Sequence, residues 1–345
     1  MAQFRVGLTR DLLDANGEPT FGRAALRVLD DDPRVEWDVL PEADAIGPDA
    51  LGRYDALYVN APRVTRDSFA GGQVRALVIA RHGVGYDSVD VAACTEHGVM
   101  LTIQPDGVRR PVAVAALSFV FALSQKLFIK DRLTRAGRWA EKVDHMGEGL
   151  VGRTLGLIGA GNIGMEIIRL ARPFGLRILA DDPYVDPAAI AAEGGQPADL
   201  DTVLREADFL VVICLLTAET RHLVGAAQLA RMKPSAYLIN VARGPIVDEA
   251  ALIAALRERR IAGAALDVFE QEPVDPANPL LTMENVVVTP HAMCWTDQCF
   301  SGIAESGFRG IVAALSGERP RGLVNPQVLG NPRLADWLAA NARRG

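Results

Sequence analysis

Three observations predict a two-domain α/β protein. Short apolar runs alternate with stretches of helical period along most of the chain, the rhythm of parallel sheets. A second series of the same kind starts afresh at Thr154. The length, 345 residues, also exceeds what a single core ordinarily supports. Apolar residues at 49% and charged residues at 23% argue against disorder. A net charge of -7 gives no general pull on nucleic acid or anionic membrane, although a local basic site can still hold a small anion.

In chain order, the first series places strands at Phe4–Leu8, Val35–Leu40, Ala56–Asn60, Leu77–Ala80 and Val99–Ile103, with helical stretches at Gly22–Asp30 and Val89–His97. A turn-rich segment, Gln104–Gly107, follows. Pro111 is placed to start a helix over Val112–Leu127 that is apolar nearly all round, as a helix buried between layers would be. The second series places strands at Thr154–Ile158, Arg177–Ala180, Phe209–Cys214, Tyr237–Asn240, Gly263–Leu266 and Val286–Thr289. Helices are expected at Ile163–Phe174, Glu249–Arg259 and Asp297–Leu315. The tail from Gly317 is richer in Pro, Gly and Arg. Arg5, Arg10 and Asp11 interrupt the first residues, so they do not read as a signal peptide. The apolar stretch Pro111–Leu123 is shorter than the ~20 residues of a spanning helix. Cys94, Cys214, Cys294 and Cys299 match neither a zinc pattern nor a disulfide framework. The expectation is a reducing cytoplasm, without nucleic-acid or membrane partners and without a metal.

The run TLGLIGAGNIGMEIIRLARPFG carries Gly159-x-Gly161-x-x-Gly164. Alone, such a motif is weak. Here an apolar strand precedes it, and a helix with Ile163, Ile167, Leu170 and Phe174 on one face follows. A second strand then ends in Asp181 and Asp182 at the spacing of a ribose-binding acid. Gly159 permits the tight turn, Gly161 lets backbone approach a pyrophosphate, and Gly164 allows close packing of the helix, whose N-terminus favours phosphate. A carboxylate at the ribose repels a 2′-phosphate, so NAD is expected over NADP. Its position before Pro183 favours Asp182; Asp181 reads as a solvated turn residue.

Arg243, Asp267 and His291 each follow a predicted strand. Ligands of open α/β sheets bind beyond the carboxyl ends of strands, so these residues can converge on one crevice. Their types suit hydride transfer to a keto acid. A guanidinium holds a carboxylate with paired donors, and histidine handles a proton near neutrality. A carboxylate beside that histidine favours its charged form; Glu272 is the best candidate.

The segments INVARGPIVDEAAL, GAALDVFEQEP and VVVTPH, in this order after the glycine motif, resemble the D-isomer-specific 2-hydroxyacid dehydrogenase family. RHGVGYDSVD resembles the family's substrate-domain loop, and GLVNP fits its ending. The resemblance implies a Rossmann-type NAD-binding domain, residues 109–296, inserted in a flavodoxin-like substrate domain, residues 1–108 and 297–345. It implies Arg243, Glu272 and His291 as the catalytic set. Val84 and Gly85 would bind substrate together with Arg243 and His291. The implied cofactor contacts are Gly159, Gly161, Asn162, Ile163 and Gly164 in the turn and Asp182 at the ribose. Cys214, Thr220, Val241, Arg243, Asp267 and His291 complete that set, with Asp267 at the nicotinamide carboxamide. A small 2-oxo or 2-hydroxy acid would be the substrate and a homodimer the assembly. The chain departs from the family pattern at Val114, where Glu is common, at Leu215, where Pro is common, and in AMCWTDQCF, which lacks an early glycine. An NADH-sensing corepressor-like binding protein and a phosphite dehydrogenase on the same scaffold are the alternatives. Formate enzymes carry Gln where Glu272 stands.

Overall fold

A computed structural model of the chain describes residues 3–341, the last by its backbone alone. Residues 1, 2 and 342–345, which the expected substrate domain includes, lie outside the described residues. The chain divides into two compact units, Arg109–Cys294 and the segments before and after it.

The first unit holds a five-stranded parallel sheet of β1 (Phe4–Leu8), β2 (Val35–Val39), β3 (Ala56–Val59), β4 (Val78–Arg81) and β5 (Met100–Thr102), in the order β2-β1-β3-β4-β5. This is the flavodoxin-like order. Successive residues face opposite layers. Val6, Leu8, Ala56, Tyr58, Val78 and Ala80 pack with Phe308 and Ile311 of the helix Asp297–Leu315, whereas Leu57, Val59, Ile79 and Leu101 pack on the other side with Leu51 and Ala93. Burial on both faces is why these strands read as continuous apolar runs rather than alternating ones.

The second unit holds a seven-stranded parallel sheet: β6 (Thr154–Ile158), β7 (Arg177–Asp181), β8 (Gln196–Pro197), β9 (Phe209–Val212), β10 (Tyr237–Asn240), β11 (Gly263–Leu266) and β12 (Val286–Val288). Its order is β12-β11-β10-β9-β6-β7-β8. From β6 the chain runs to β7 and β8 on one side and then crosses to β9 on the other. β6 and β9 therefore flank the topological switch point, where the crevice of such a sheet opens. The Rossmann-type reading holds in this order.

The long helix corrects the sequence reading. It spans Pro105–Ser124, so the expected turn over Gln104–Gly107 is mostly helix, and Pro111 lies inside the helix rather than at its start. Pro105 occupies the first turn, where a missing N–H costs nothing. Pro111 leaves the Gly107 carbonyl without its helical donor. The helix is not buried all round either. Ala113, Ala116, Leu117, Phe119, Val120 and Leu123 join the core over β6 and β9, while Val114 is 49% exposed. At 20 residues it is long and apolar enough to cross a membrane by length and composition, where the sequence reading found only a shorter stretch. In this fold its inward side is covered by Leu155, Ile167 and Phe209.

Candidate active site

Gly159 follows β6 directly and has φ 108°. A Cβ there would lie 2.7 Å from the Cys214 amide nitrogen, so only glycine lets this turn pass the end of β9. A Cβ on Gly164 would lie 2.4 Å from the Gly159 carbonyl oxygen, so the third glycine closes the helix onto the turn. A Cβ on Gly161 would meet nothing within 4 Å. That open space lies where a pyrophosphate must approach backbone. The helix Asn162–Ala171 starts there, and the amides of a first helical turn have no acceptor within the helix and favour an anion.

Asp182 is built into the same turn. Its Oδ2 accepts the Ala160 amide at 2.8 Å and its Oδ1 the Tyr184 amide at 3.0 Å. The Asp181 carboxyl is instead pushed up, by burial first and then by the charges of Asp182 and Asp199. Cys214 is largely buried, which pushes its thiol up to about 11 and keeps it neutral. Thr220 works within its own loop: its hydroxyl donates to the Leu215 carbonyl at 2.6 Å and accepts the Thr217 amide at 2.7 Å. Val241 follows β10 and packs against the core. The open glycine turn, the helix N-terminus and the carboxylate of Asp182 fit a dinucleotide.

Arg243 stands on a turn shaped by Asn240. The Asn240 side chain accepts the Ala242 amide at 3.0 Å and donates to the Arg243 carbonyl at 3.0 Å. Gly244 then runs against the segment after β11, where a Cβ would lie 1.9 Å from the Phe269 carbonyl. That contact brings the Arg243 turn beside Glu272. The Glu272 Oε1 accepts the Phe269 amide at 3.0 Å, and its Oε2 meets His291 Nδ1 at 2.7 Å. Burial pushes the Glu272 carboxyl up, but the His291 hydrogen bond and charge, the Phe269 amide and the Arg243 guanidinium outweigh it, so the group sits below its ordinary value. The His291 and Glu272 side chains are 43% and 37% exposed. With Nδ1 committed to Glu272, Nε2 is the nitrogen left to meet a ligand. The Asp267 carbonyl accepts the His291 amide at 2.8 Å, and its carboxylate bonds the residues that flank His291.

The second unit thus brings Arg243, Glu272, Asp267 and His291 together, with the glycine turn on the same sheet. Val84 and Gly85 belong to the first unit, in the loop after β4. There Gly83 has φ 112°, and its carbonyl accepts the Gln104 amide at 2.8 Å. The amides of Val84 and Gly85 donate to nothing among the described residues. His82, just before them, is buried with its Nδ1 2.6 Å from the Tyr58 hydroxyl, and burial lowers it to about 3.

Several residues outside this set find partners. Arg110 Nε lies 2.8 Å from the buried carboxylate of Glu166, and Arg109 Nε 3.9 Å from it. His222 pairs with Glu270 at 2.5 Å. Met293 packs on the core, and the Trp295 ring lies edge-on to Phe300 at 5.0 Å. Sequence reasoning missed Asn240, Thr289 and the Phe269 amide. Asn240 precedes Arg243 by three residues and Thr289 precedes His291 by two, so both stood inside the quoted motifs.

The family model described as D-isomer specific 2-hydroxyacid dehydrogenase, NAD binding domain, matches residues 117–292. A glyoxylate reductase of Thermococcus onnurineus is 36% identical over 88% of this chain and 90% of its own length. The glyoxylate/hydroxypyruvate reductase B of Enterobacter agglomerans is 37% identical over 82% of this chain and 87% of its own. Among solved structures, a glyoxylate reductase from Paecilomyes thermophila superposes with a TM-score of 0.80 at 28% identity, covering 95% of this chain and 100% of that one.

Proposed function

The chain belongs to the D-isomer specific 2-hydroxyacid dehydrogenases, NAD-dependent enzymes, and from that premise we propose that it reversibly reduces a small 2-oxo acid through His291, Glu272 and Arg243. The observation that carries this reading is the 2.7 Å contact of His291 Nδ1 with Glu272, beside the turn that bears Arg243. NADH, when bound, supplies the hydride and NAD takes it back. Arg243 holds the substrate carboxylate with paired donors and polarises the carbonyl. His291 gives a proton from Nε2 to the developing alkoxide and recovers it in the reverse direction. Glu272 orients the ring through its Nδ1.

Gly159, Gly161, Asn162, Ile163 and Gly164 cradle the pyrophosphate, and Asp182 takes the ribose hydroxyls. Cys214, Thr220 and Val241 line the cofactor side, and Asp267 meets the carboxamide. Val84 and Gly85 offer their amides to the substrate carboxylate. Residues 109–296 serve as the NAD domain and residues 1–108 and 297–345 as the substrate domain. The names of the relatives put glyoxylate and hydroxypyruvate first among the substrates. We place the enzyme in the reducing cytoplasm, on cysteines that form no disulfide among the described residues, and as a homodimer, on the apolar surface discussed below.

The test is NADH oxidation against a panel of 2-oxo acids. Turnover of glyoxylate or hydroxypyruvate is expected, with His291→Ala slower by about 10²–10⁴-fold. Failure across the panel by protein that binds NADH, or full turnover by His291→Ala, would sink the reading. Asp182→Ala is expected to relax the rejection of NADPH; an unchanged ratio of NADH to NADPH use moves that role elsewhere.

A further inference from the structure

Asp267 follows β11 and is buried. One of its oxygens, Oδ1, accepts the Thr289 hydroxyl at 2.5 Å, the Ala292 amide at 2.9 Å and the Met293 amide at 3.0 Å. These donors bracket His291 on both sides in sequence. His291 itself has φ 53°, a left-handed conformation that a residue with a Cβ adopts only where its surroundings hold it there. The Glu272 contact orients the imidazole but cannot hold the main chain. The Asp267 carboxylate can, and Thr289 supplies the one side-chain donor among the three. No hydrogen bond reaches Oδ2 of Asp267 among the described residues, so the rotation of the carboxylate decides which oxygen serves the protein and which faces outward.

We propose that Thr289 is a positioning residue for proton transfer: by fixing the Asp267 carboxylate, its hydroxyl locks the turn that presents His291. The inference rests on His291 being the acid–base group. A small misplacement of such a group is costly, because the reacting atoms must be held in register.

Steady-state kinetics of Thr289→Val, close in shape but without the donor, test it. The expected result is a kcat lower by about tenfold, as for loss of a group that orients a reactive ligand. The pH profile of kcat should be displaced, with recovery in Thr289→Ser. Wild-type kcat and pH profile in Thr289→Val overturn the proposal. Should Thr289→Val fail to fold by circular dichroism, Thr289→Ala compared with Thr289→Ser decides in the same way. If the wild type itself turns over no 2-oxo acid, the functional reading fails. The clamp is then judged separately, by NMR titration of the His291 ring, where an unchanged curve in Thr289→Val overturns it.

Discussion

At the scale of single residues, two carboxylates flank His291 and act on different parts of it. Glu272 meets the ring and Asp267 the main chain. Glu272→Gln keeps the shape but loses the charge, and kcat/KM should fall by about 10²-fold, read by steady-state NADH oxidation. The same residue predicts a stability effect. Its folded-state value lies below the ordinary one, so its contribution is fully present above about pH 4.5 and is lost as pH falls through the lower folded value. Urea unfolding between pH 3 and 6 should therefore show an acid-side loss that Glu272→Gln flattens; parallel curves would refute the assignment. Residue types and spacing singled out Arg243, Glu272 and His291, which the fold places together. Thr289 and Asn240 were not singled out, because their work consists of hydrogen bonds to neighbouring carboxylate and main-chain atoms, and no residue type announces that.

Elements set where those residues meet. The carboxyl ends of β10, β11 and β12 lie side by side in the sheet, and each is followed by one member of the proposed set. Gly244 makes the fit between the first two. Gly244→Ala puts a methyl group into the Phe269 carbonyl, so it should destabilise the fold by about 2 kcal/mol and weaken turnover, checked by thermal melts and kinetics together. The strands with strong apolar runs, such as Phe4–Leu8, Thr154–Ile158 and Tyr237–Asn240, were readable to the residue. β8, two residues long and exposed, was not, since it carries no apolar period. The helix Pro105–Ser124 was misplaced because a proline reads as a start, whereas tertiary packing tolerates Pro111 within it.

At the scale of the molecule, stability in acid should depend on His82, which is buried in the first unit and lowered to about 3. The folded protein holds it neutral while the unfolded chain protonates it below about 6.5, so stability drops as pH falls from about 6.5 toward 3. The unfolding constant should rise by up to about tenfold per pH unit on this account. Denaturant unfolding of His82→Gln, expected to be weaker at neutral pH yet flatter in this window, checks it. The second unit exposes Val114, Leu127, Phe128, Trp139, Val143, Met146 and Val151, all within one stretch of chain, and the short helix Trp139–Asp144 buries none of its residues. Apolar surface of this kind is ordinarily covered, and the proposed dimer would cover it. Light scattering should give twice the chain mass for the wild type and a monomer for Trp139→Glu combined with Val143→Glu; a monomeric wild type would refute the dimer.

The division of the chain has a consequence for how such an enzyme diversifies. Every group assigned to moving the proton or holding the dinucleotide comes from Arg109–Cys294, whereas the loop Gly83–Gly85 comes from the other unit. Selection can therefore rewrite the preference for one acid over another in that loop while inheriting the reaction itself unaltered. Relatives that share this chemistry would then differ in diet rather than in craft.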